Sequence, residues 1–589
     1  MVSRPPPPRI VSKASAAAPN PPSIKVRSKQ LASTTGSKPG RVETRPCFAS
    51  SWVEPANEPR SGYALRRQIA CVDVTVSSPD GASFGIYAVD PPEYRLSAPH
   101  LQALTEAIPR ISSTLPDDIE INSLDTIRPY IKARSKDLIF SRLATRSADE
   151  IGGMDLDKEA DRLAELLCKY TAGYGVLETL LEDGLVQDIY VDAPSSQTPV
   201  YVVLRSDVDK GVRQKCRTNI LVGRRDLQSL VSRVKFETGL PFSEAHPVLE
   251  ADIRRLGARV TMVGPPLSDR GVSIAIRKHS ESLWTMSRLI ANDSLSPLLS
   301  AFLWACVLGR RTVLIAGSRG AGKTTLLGAM LLEFPLSQRM ILIEDTPEIP
   351  VRRMQTLGYD IQALRFSGED GNSVTNAQEA LRVSLRMGES AIVIGEVRGQ
   401  EAKVLYESMR AGSAGSSVLG TIHGNSAKGV LDRAVEDLGI SERAFSSTDI
   451  VVVIGLVRSP DGTRFSRRVV EVAEIREDEH GLALVDLFRT DAGCPLAKPT
   501  PSFSPGCRSI QRAADSLGVD AEDMMEIIKS KAHADQVLSE SKGRVSHAKD
   551  LTTDAFRVRS NEILVRSLFA REGPESGLSE WRSWLDAQG

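Results

Sequence analysis

Residues 317–325, Gly-Ser-Arg-Gly-Ala-Gly-Lys-Thr-Thr, form a glycine-rich segment that fits the spacing Gly-x4-Gly-Lys-Thr. Glycines let the backbone curl so that successive N–H groups point at phosphate oxygens. Lys323 would reach the β- and γ-phosphates, and the Thr324 hydroxyl would bind Mg²⁺. The residues expected to hold the triphosphate are Gly317, Ser318, Arg319, Gly320, Ala321, Gly322, Lys323, Thr324 and Thr325.

The segments on either side of this loop strengthen the prediction. An apolar, β-branched run at 312–316 precedes the loop, and residues 326–332 follow it with a helical pattern. A strand, a loop and a helix N-terminus in that order place the positive end of the helix dipole at the phosphates. A chance match to the pattern would not be expected to lie between a strand and a helix. The sequence therefore predicts a chain that binds ATP and Mg²⁺.

Carboxylates follow the second apolar run, at 340–343, in the segment Glu344-Asp345-Thr346-Pro347-Glu348. Ligands bind at the carboxyl ends of the strands in an open α/β sheet. Hydrolysis needs one carboxylate within reach of the attacking water, and either Glu344 or Glu348 could supply it. The alternative is an ordinary solvated turn after a strand.

A third run, at 391–394, leads into Gly395-Glu396-Val397-Arg398. It has the outline of a Walker B strand, with Gly-Glu where an Asp usually follows. Glu396 could bind Mg²⁺ through water, and Arg398 could either hold phosphate or pair with Glu396. A fourth run, at 416–421, is followed by His423, which could sense the γ-phosphate by a hydrogen bond or serve a structural role.

The elements that must position these residues are distributed over a chain of 589 residues, which is long enough for several domains. Lysine plus arginine and aspartate plus glutamate both number 74, so the bulk charge does not favour a nucleic-acid partner. Seven scattered cysteines without a C-x-x-C pair argue against a disulfide framework or a four-cysteine zinc site. No signal peptide or bilayer-spanning run is evident, so we expect a cytoplasmic protein, with any membrane role through a partner.

The pattern predicts an α/β fold with a parallel, doubly wound sheet in the P-loop domain and a smaller α+β domain before it. Within the P-loop domain, runs near 450–456, 468–475 and 482–488 suggest an added antiparallel meander. A linker near 281–293 would separate the two domains. The expected divisions are a disordered basic, Pro-rich tail (1–60), an extension module (61–145), the α+β domain (146–290), the P-loop domain with its meander (291–495) and a helical tail (496–589).

Taken together, these motifs resemble those of the type II/type IV secretion-system ATPase superfamily over roughly residues 150–480. The shared marks are GSRGAGKTT, ILIEDTPEI, IVIGEVRG with its Gly-Glu, and AGSAGSSVLGTIHGNS. Upstream, GYGVLETLLEDGLVQDIYVDAP and RVTMVGPP…GVSIAIRKH resemble the beginning and the end of the family's N-terminal domain. The resemblance implies a RecA-like P-loop domain, and Glu in place of the Walker B Asp is usual in that family.

The resemblance also implies a homo-hexamer in which arginines of the N-terminal domain, from the same or a neighbouring subunit, complete each site. Arg259 and Arg277 match the arginine-bearing segments, with Arg254, Arg255 and Arg270 as looser matches. An arginine supplied in this way stabilises charge in the transition state. The catalytic set is then Glu344, Glu348, Glu396, His423, Arg277 and Arg259, and Mg²⁺ would be held by Thr324 and Glu396.

The function implied is an ATPase motor that drives a pilus-like or secretion-like filament through a polytopic membrane platform protein, with a pilin-like or secreted protein as indirect substrate. The missing zinc module and the long N-terminal extension favour the Tad-like or archaeal branches. Two alternatives stay open: a conjugation-type ATPase that moves DNA or effector protein, and a nucleotide-dependent scaffold that hydrolyses poorly. The acids and the histidine favour hydrolysis, and the zero net charge favours a partner other than nucleic acid.

Overall fold

The computed structural model describes most of the chain after the basic N-terminal segment. The described residues are 45–46, 48–55, 62–112, 124–145, 155–205, 212–279, 283–366, 377–399, 401–410, 417–458, 465–478, 481–491, 496–540, 554–570 and 573–587. The expected disordered tail at 1–60 therefore lies mainly outside them. Its later part is not a solvated tail, because Trp52–Val53 pairs with Ile220–Leu221, and Asp226 accepts the backbone N–H groups of Ser50 and Ser51.

The first half of the chain is built on one large sheet flanked by helices. Its strands, with the short pair β1 and β8, are β1 (Trp52–Val53), β2 (Tyr63–Ile69), β3 (Val72–Ser78), β4 (Gly85–Asp90), β5 (Val186–Val191), β6 (Tyr201–Leu204), β7 (Lys215–Thr218), β8 (Ile220–Leu221), β9 (Val248–Ile253), β10 (Ala258–Val263) and β11 (Ser273–Lys278). The helices are α1 (Ala98–Ser112), α2 (Leu124–Leu143), α3 (Leu156–Thr171), α4 (Leu177–Glu182) and α5 (Arg224–Thr238). Two 3-10 turns lie at Pro92–Arg95 and Arg254–Leu256.

This sheet crosses the boundary that we expected at residue 145. Its strand order is β2-β3-β4-β7-β6-β5-β11-β10-β9, so strands from the expected extension module and from the expected α+β domain share one hydrogen-bonded sheet. Helices α1, α2 and α3 likewise pack around one apolar core that includes Leu104, Ile139 and Leu163. The division at 145 stays a prediction, and the sheet itself has no break there.

The P-loop part contains a second large sheet. Its strands are β12 (Val313–Gly317), β13 (Met340–Glu344), β14 (Ile361–Arg365), β15 (Ala391–Val397), β16 (Val418–Ile422), β17 (Ile450–Arg458), β18 (Phe465–Asp478), β19 (Gly481–Arg489) and β20 (Lys498–Pro499). Their order is β14-β13-β15-β16-β12-β17-β18-β19-β20, and the first six are parallel. Strands buried on both faces read as continuous apolar runs, which is why the sequence marked β12, β13, β15 and β16. The predicted parallel sheet is confirmed.

Helices cover both faces of this sheet and continue into the C-terminal region. They are α6 (Met286–Ala291), α7 (Pro297–Leu308), α8 (Lys323–Leu331), α9 (Val351–Thr356), α10 (Ala377–Ser384), α11 (Glu401–Arg410), α12 (Ala427–Asp432), α13 (Glu442–Phe445), α14 (Arg508–Leu517), α15 (Ala521–Glu540), α16 (Asp554–Leu568) and α17 (Pro574–Asp586), with a π-helical turn at Arg433–Asp437. Two apolar cores lie against the sheet, and the larger one includes residues of α14 to α17.

The predicted antiparallel meander begins inside the central sheet. Strand β17, at the run 450–456, pairs antiparallel with β18 and also lies parallel to β12. Strands β19 and β20 continue the antiparallel pairing after β18. The expected linker at 281–293 contains α6, whose N-terminus is capped by the Thr285 hydroxyl. Within the described residues, no helix combines the length and the apolar character needed to cross a membrane.

Candidate functional site

The glycine-rich loop joins β12 to α8 at the carboxyl edge of the parallel sheet. Strand β12 is fully buried, so the position of the loop is fixed by the centre of the sheet. Gly320 and Gly322 have φ angles of +78° and +99°, which side chains other than glycine rarely adopt. Helix α8 begins directly at Lys323, so its first N–H groups and its dipole face the same cradle. The predicted strand, loop and helix are all present.

Lys323 lies inside this cradle without a carboxylate partner at ion-pair distance among the described residues. Its Nζ donates to the carbonyl oxygens of Gly317 and Ser318, at 3.1 and 3.2 Å. Burial lowers the pKa of Lys323, and attraction to Glu396 and Glu348 offsets this only in part. The charge of Lys323 is thus only partly balanced, and backbone N–H donors of the loop lie around it. Such a position suits a highly charged anion such as a triphosphate.

Glu396 and His423 extend from Lys323 as one hydrogen-bonded chain. Glu396 Oε1 lies 2.9 Å from His423 Nε2, and His423 Nδ1 lies 3.5 Å from Lys323 Nζ. An imidazole that donates from Nε2 to the carboxylate presents its Nδ1 lone pair to the ammonium group. Glu396 reaches this position because the pairing of β15 with β16 shifts register between Ile394 and Val397. Such an irregularity re-aims a side chain at the end of a strand.

Glu344 is buried at the end of β13, and its carboxylate organises the turn that follows. Its Oε1 accepts the backbone N–H groups of Glu348 and Ile349, at 3.2 and 3.3 Å. Burial raises the pKa of Glu344 to about 8, although those two hydrogen bonds act in the opposite direction. A Cβ on Gly395 would lie 2.9 Å from Glu344 Cγ. Glycine before Glu396 therefore leaves room for Glu344.

Glu348 has different surroundings, although it is only four residues further along. Its side chain is exposed in the cleft, and it attracts both Lys323 and Arg277 electrostatically. Arg398, for which we considered either phosphate or Glu396, instead lies 2.5 Å from Asp345. That pair ties the end of β15 to the end of β13, since parallel strands bring their carboxyl ends to one edge.

Arg259 and Arg277 of the same chain reach this cleft from strands β10 and β11. Arg259 donates to the Thr346 hydroxyl at 3.1 Å and to Glu250 at 3.1 Å. Arg277 Nε donates to Asp188 on the neighbouring strand β5 at 2.9 Å. Burial acts to lower the pKa of Arg277, but attraction to and hydrogen bonding with Asp188, together with attraction to Glu348, outweigh it and the pKa is raised.

The structure describes the side chains of two of the three looser arginine candidates, Arg255 and Arg270. Arg255 pairs with Glu237 at 3.5 Å and lies over the Tyr174 ring, away from the residues that line the cleft. The side chain of Arg254 falls outside the described parts, and Arg270 is exposed and is not among the residues that line the cleft.

Arg467, on β18, is a cleft residue that the sequence did not single out. Its Nε donates to the carbonyl oxygen of Gly320 at 2.9 Å, and its Cδ would lie 3.3 Å from a Cβ on Gly322. Strand β18 was recognised only as part of a meander, and nothing in its local pattern indicated a contact with the loop. The adjacent arginines at 467–468, just before the apolar pair Val469-Val470, were the signal that the sequence offered.

Together these groups line a single cleft of about 1750 Å³ between the two sheets. Its walls carry the loop glycines, Lys323, Thr324, Glu348, Glu396, His423, Arg259, Arg277 and Arg467. The arrangement places backbone donors and cations side by side, as a phosphate-binding site requires. It is that of a P-loop nucleotide-binding site.

The chain belongs to the type II/IV secretion system protein family, whose model matches residues 174–564. It is 32% identical over 261 residues to the type IV secretion system protein PtlH of Bordetella pertussis, covering 38% of this chain and 74% of PtlH. It is 29% identical over 330 residues to a Mycobacterium tuberculosis protein named "Putative conjugal transfer protein Rv3659c", covering 54% of this chain and 90% of that protein.

Solved structures of ATPases also align with the chain. The VirB11 ATPase of the Brucella suis type IV secretion system is 24% identical, with a TM-score of 0.25, over 51% of this chain and 92% of that one. The Legionella pneumophila ATPase DotB is 16% identical, with a TM-score of 0.37, over 63% and 93%. With scores this low, these likenesses add nothing to the family assignment.

Proposed function

We propose that this chain is a Mg²⁺-dependent ATPase that works as a homo-hexameric motor of a secretion or pilus-type assembly machine. The observation that carries the proposal is the convergence in one cleft of Lys323, the Glu396–His423 pair, Glu348 and two arginines from the other sheet. A site that only bound nucleotide would need the loop and the lysine. The additional carboxylates and arginines are the groups that phosphoryl transfer to water requires.

Each residue then has a definite task. The loop N–H groups and Lys323 bind the β- and γ-phosphates. Thr324 and Glu396 would hold Mg²⁺, whose charge stabilises the negative charge that develops during transfer. Glu348 orients the attacking water, because its carboxylate is exposed in the cleft, whereas Glu344 is engaged by the turn. Arg259 and Arg277 stabilise the phosphoryl oxygens in the transition state.

His423 would report the loss of the γ-phosphate. It touches Lys323 on one side and Glu396 on the other, so a change at the phosphate alters both of its hydrogen bonds. The change would reach the N-terminal sheet through the arginines of β10 and β11, and the two sheets would close and open around the cleft. We propose that this motion acts on a polytopic membrane platform protein and, through it, on a pilin-like or secreted substrate, with the ring bound peripherally at the cytoplasmic membrane.

The test is ATP hydrolysis by the purified full chain, measured against oligomer size by light scattering with and without Mg-nucleotide. We expect activity that rises as a hexamer forms and that is abolished in Lys323→Ala. Lys529→Ala is the matched control, since Lys529 is an exposed lysine that pairs with Glu526 on α15. Wild-type turnover in Lys323→Ala would refute the site. A monomer that binds ATP and barely hydrolyses it would favour the scaffold.

A conjugation-type role is the second candidate, and family membership alone does not separate it from the first. The zero net charge of the chain weighs against a DNA-translocating channel, which should be basic. A DNA affinity that falls steeply with salt in the assembled ring would favour conjugation. Absence of such binding, together with capture by a membrane platform protein, would favour filament assembly.

A further inference from the structure

Arg467 reaches the cleft from strand β18, which lies outside the six parallel strands of the sheet. Strand β18 lies antiparallel to β17, and β17 lies parallel to the P-loop strand β12. Arg467 is therefore two strands away from β12, and 147 positions along the chain from Gly320, yet its side chain reaches back over the loop. A hydrogen bond from Nε to the Gly320 carbonyl holds it there at 2.9 Å.

That bond uses one nitrogen of a guanidinium group that has several donors. Guanidinium offers five N–H donors in a planar fork, and the two terminal nitrogens can bind phosphate in a bidentate manner while Nε is engaged elsewhere. In the described part of the chain, no carboxylate lies within ion-pair distance of Arg467. Nε thus fixes the side chain, while the terminal nitrogens are not held by an ion pair.

The charge of Arg467 is only partly compensated. Burial lowers its pKa, attraction to Asp188 acts against this, and repulsion from Arg277 adds to it. Asp188 is itself engaged, since it accepts the Nε–H of Arg277 at 2.9 Å. Arg467 thus shares Asp188 with Arg277, so its own charge is only partly balanced in a half-buried position. Such an arrangement is costly unless an anion binds.

We propose that Arg467 is a further phosphate-binding residue of this site, directed at the β-phosphate, and that Asp188 positions it together with Arg277. The assignment to the β-phosphate follows from its place against Gly320 and Gly322, in the loop whose N–H groups surround that phosphate. Arg277 donates to Asp188 at 2.9 Å and is also attracted by Glu348, the residue proposed to orient the attacking water. This inference rests on the proposed nucleotide site and extends it.

The experiment is titration of the full-length protein with Mg-ADP that carries a fluorescent ribose label, in wild type, Arg467→Gln and Arg467→Lys. Gln can still donate to the Gly320 carbonyl but has no charge, whereas Lys keeps the charge. We expect Arg467→Gln to raise the Kd for ADP about tenfold or more and Arg467→Lys to recover only part of the loss, because Lys keeps the charge but not the two-donor edge. The dependence of Kd on salt should also become shallower in Arg467→Gln.

Other outcomes are decisive as well. Equal weakening in both variants would mean that Arg467 only shapes the loop, and an unchanged Kd in Arg467→Gln would mean that it does not bind phosphate; either result overturns the proposal. Arg489→Gln, an exposed arginine on β19 that pairs with Asp486, is the control for surface charge. If Arg467→Gln does not fold, Arg467→His should bind ADP more tightly at about pH 5.5 than at about pH 8, because only the protonated imidazole carries charge.

The nucleotide site and the role of Arg467 within it would be refuted by different results. If wild type binds ADP, Lys323→Ala does not, and Arg467→Gln binds normally, the nucleotide site stands and only the role of Arg467 is refuted. If wild type itself binds no ADP, the nucleotide site is refuted and the role of Arg467 with it.

Discussion

Glu344 and Glu348 lie at the two ends of one short turn, and their carboxylates have different neighbours. One oxygen of Glu344 accepts two backbone N–H groups in a buried position. Glu348 is exposed in the cleft beside Lys323 and Arg277. A carboxylate that must reach a water molecule needs to be free of such bonds to the backbone, so the geometry favours Glu348 as the residue that orients water.

Exchange of each glutamate for glutamine separates the two roles. Glu348→Gln should lower kcat about 100-fold or more, because it removes a base that acts in the transition state, with little change in ADP affinity. Glu344→Gln should cost much less, since the amide oxygen can still accept the two N–H groups. Steady-state ATPase assays with ADP binding measure both effects. If Glu344→Gln proves as severe as Glu348→Gln, the water-orienting role moves to Glu344.

The ionisation of Glu344 makes a separate prediction about stability. The pKa of its carboxyl rises from 4.5 to about 8 on folding, so the folded chain holds this proton more tightly than the unfolded chain does. The stability contributed by this proton is complete below about pH 4.5 and is lost as pH rises through about 8. Glu344→Gln cannot titrate. Its melting temperature relative to wild type should therefore increase between about pH 6 and about pH 9.

Thermal melting of both proteins across that range, without nucleotide, is the measurement. A constant difference between Glu344→Gln and wild type would show that the Glu344 carboxyl titrates with an ordinary pKa.

At the scale of elements, strand β15 carries two features that act together at its end. Its register shift toward β16 aims Glu396 at His423, and Gly395 leaves space for the Glu344 side chain of β13. The Gly-Glu pair is therefore explained by packing between neighbouring strands as well as by the chemistry of Glu396. A larger residue at 395 would push Glu344 away from the turn that holds Glu348.

Gly395→Ala tests this explanation. The new methyl group would lie 2.9 Å from Glu344 Cγ, so we expect destabilisation of about 1–3 kcal/mol. We also expect ATPase activity to fall, because the turn that presents Glu348 shifts. Melting temperature and kcat report the two effects. Gly184→Ala is a suitable control, since a Cβ there meets nothing within 4 Å. Unchanged kcat in Gly395→Ala would separate the packing of Glu344 from catalysis.

The parallel strands and the glycine loop could be predicted because each is a local pattern. Apolar runs such as 312–316 and 340–343 mark strands that are buried on both faces, and the loop glycines mark a backbone conformation that other residues rarely adopt. Contacts between distant segments leave no such pattern. The direction of β17 and the reach of Arg467 depend on which strands pair, and pairing is decided by the assembled core. Strand β14, in which only Ile361 is buried, was missed for lack of an apolar run.

The residues of the site fall into the same two groups: those that a local pattern predicts and those that depend on contacts between distant segments. Residue type and position at strand ends pointed to Glu344, Glu348, Glu396 and His423. The partners of Arg398 could not be predicted, because Asp345 lies 53 positions away and is brought near by strand order alone. Burial, which separates Glu344 from Glu348, is likewise a property of the packed molecule and not of the five-residue segment.

At the scale of the whole molecule, the C-terminal helices are packed into the P-loop part and are not an appended tail. Four fully buried charged residues join them to it: Glu333, just after α8, Lys531 and Asp535 on α15, and Arg557 on α16. Trp304 of α7 donates to Asn561 of α16 at 2.8 Å in the same region. The helix that begins at the phosphate loop therefore ends against a buried ionic network that includes the C-terminal region.

This network contains two positive and two negative side chains, so its charges balance only when all four are present. Arg557 donates to Glu333 Oε1 from Nε and Nη2, at 3.0 and 2.9 Å, and lies 2.6 Å from Asp535 Oδ1. Arg557→Leu would leave two carboxylates with Lys531 as their nearest cation. Loss of one partner from a buried ion pair costs about 3–5 kcal/mol. We expect a large fall in melting temperature and, because α8 packs against the network, weaker ADP binding.

Arg559→Leu is the matched control, because Arg559 lies on the exposed face of the same helix α16 and the substitution is identical. The measurements are the melting temperature and the Kd for ADP of each variant, with and without saturating nucleotide. A destabilised Arg557→Leu that still binds ADP normally at low temperature would show that the C-terminal helices stabilise the P-loop part without shaping its site. If Arg557→Leu melted like Arg559→Leu, the helices would be bound only through apolar packing. Loss of both stability and binding, confined to Arg557→Leu, would establish that the C-terminal helices are part of the ATPase unit.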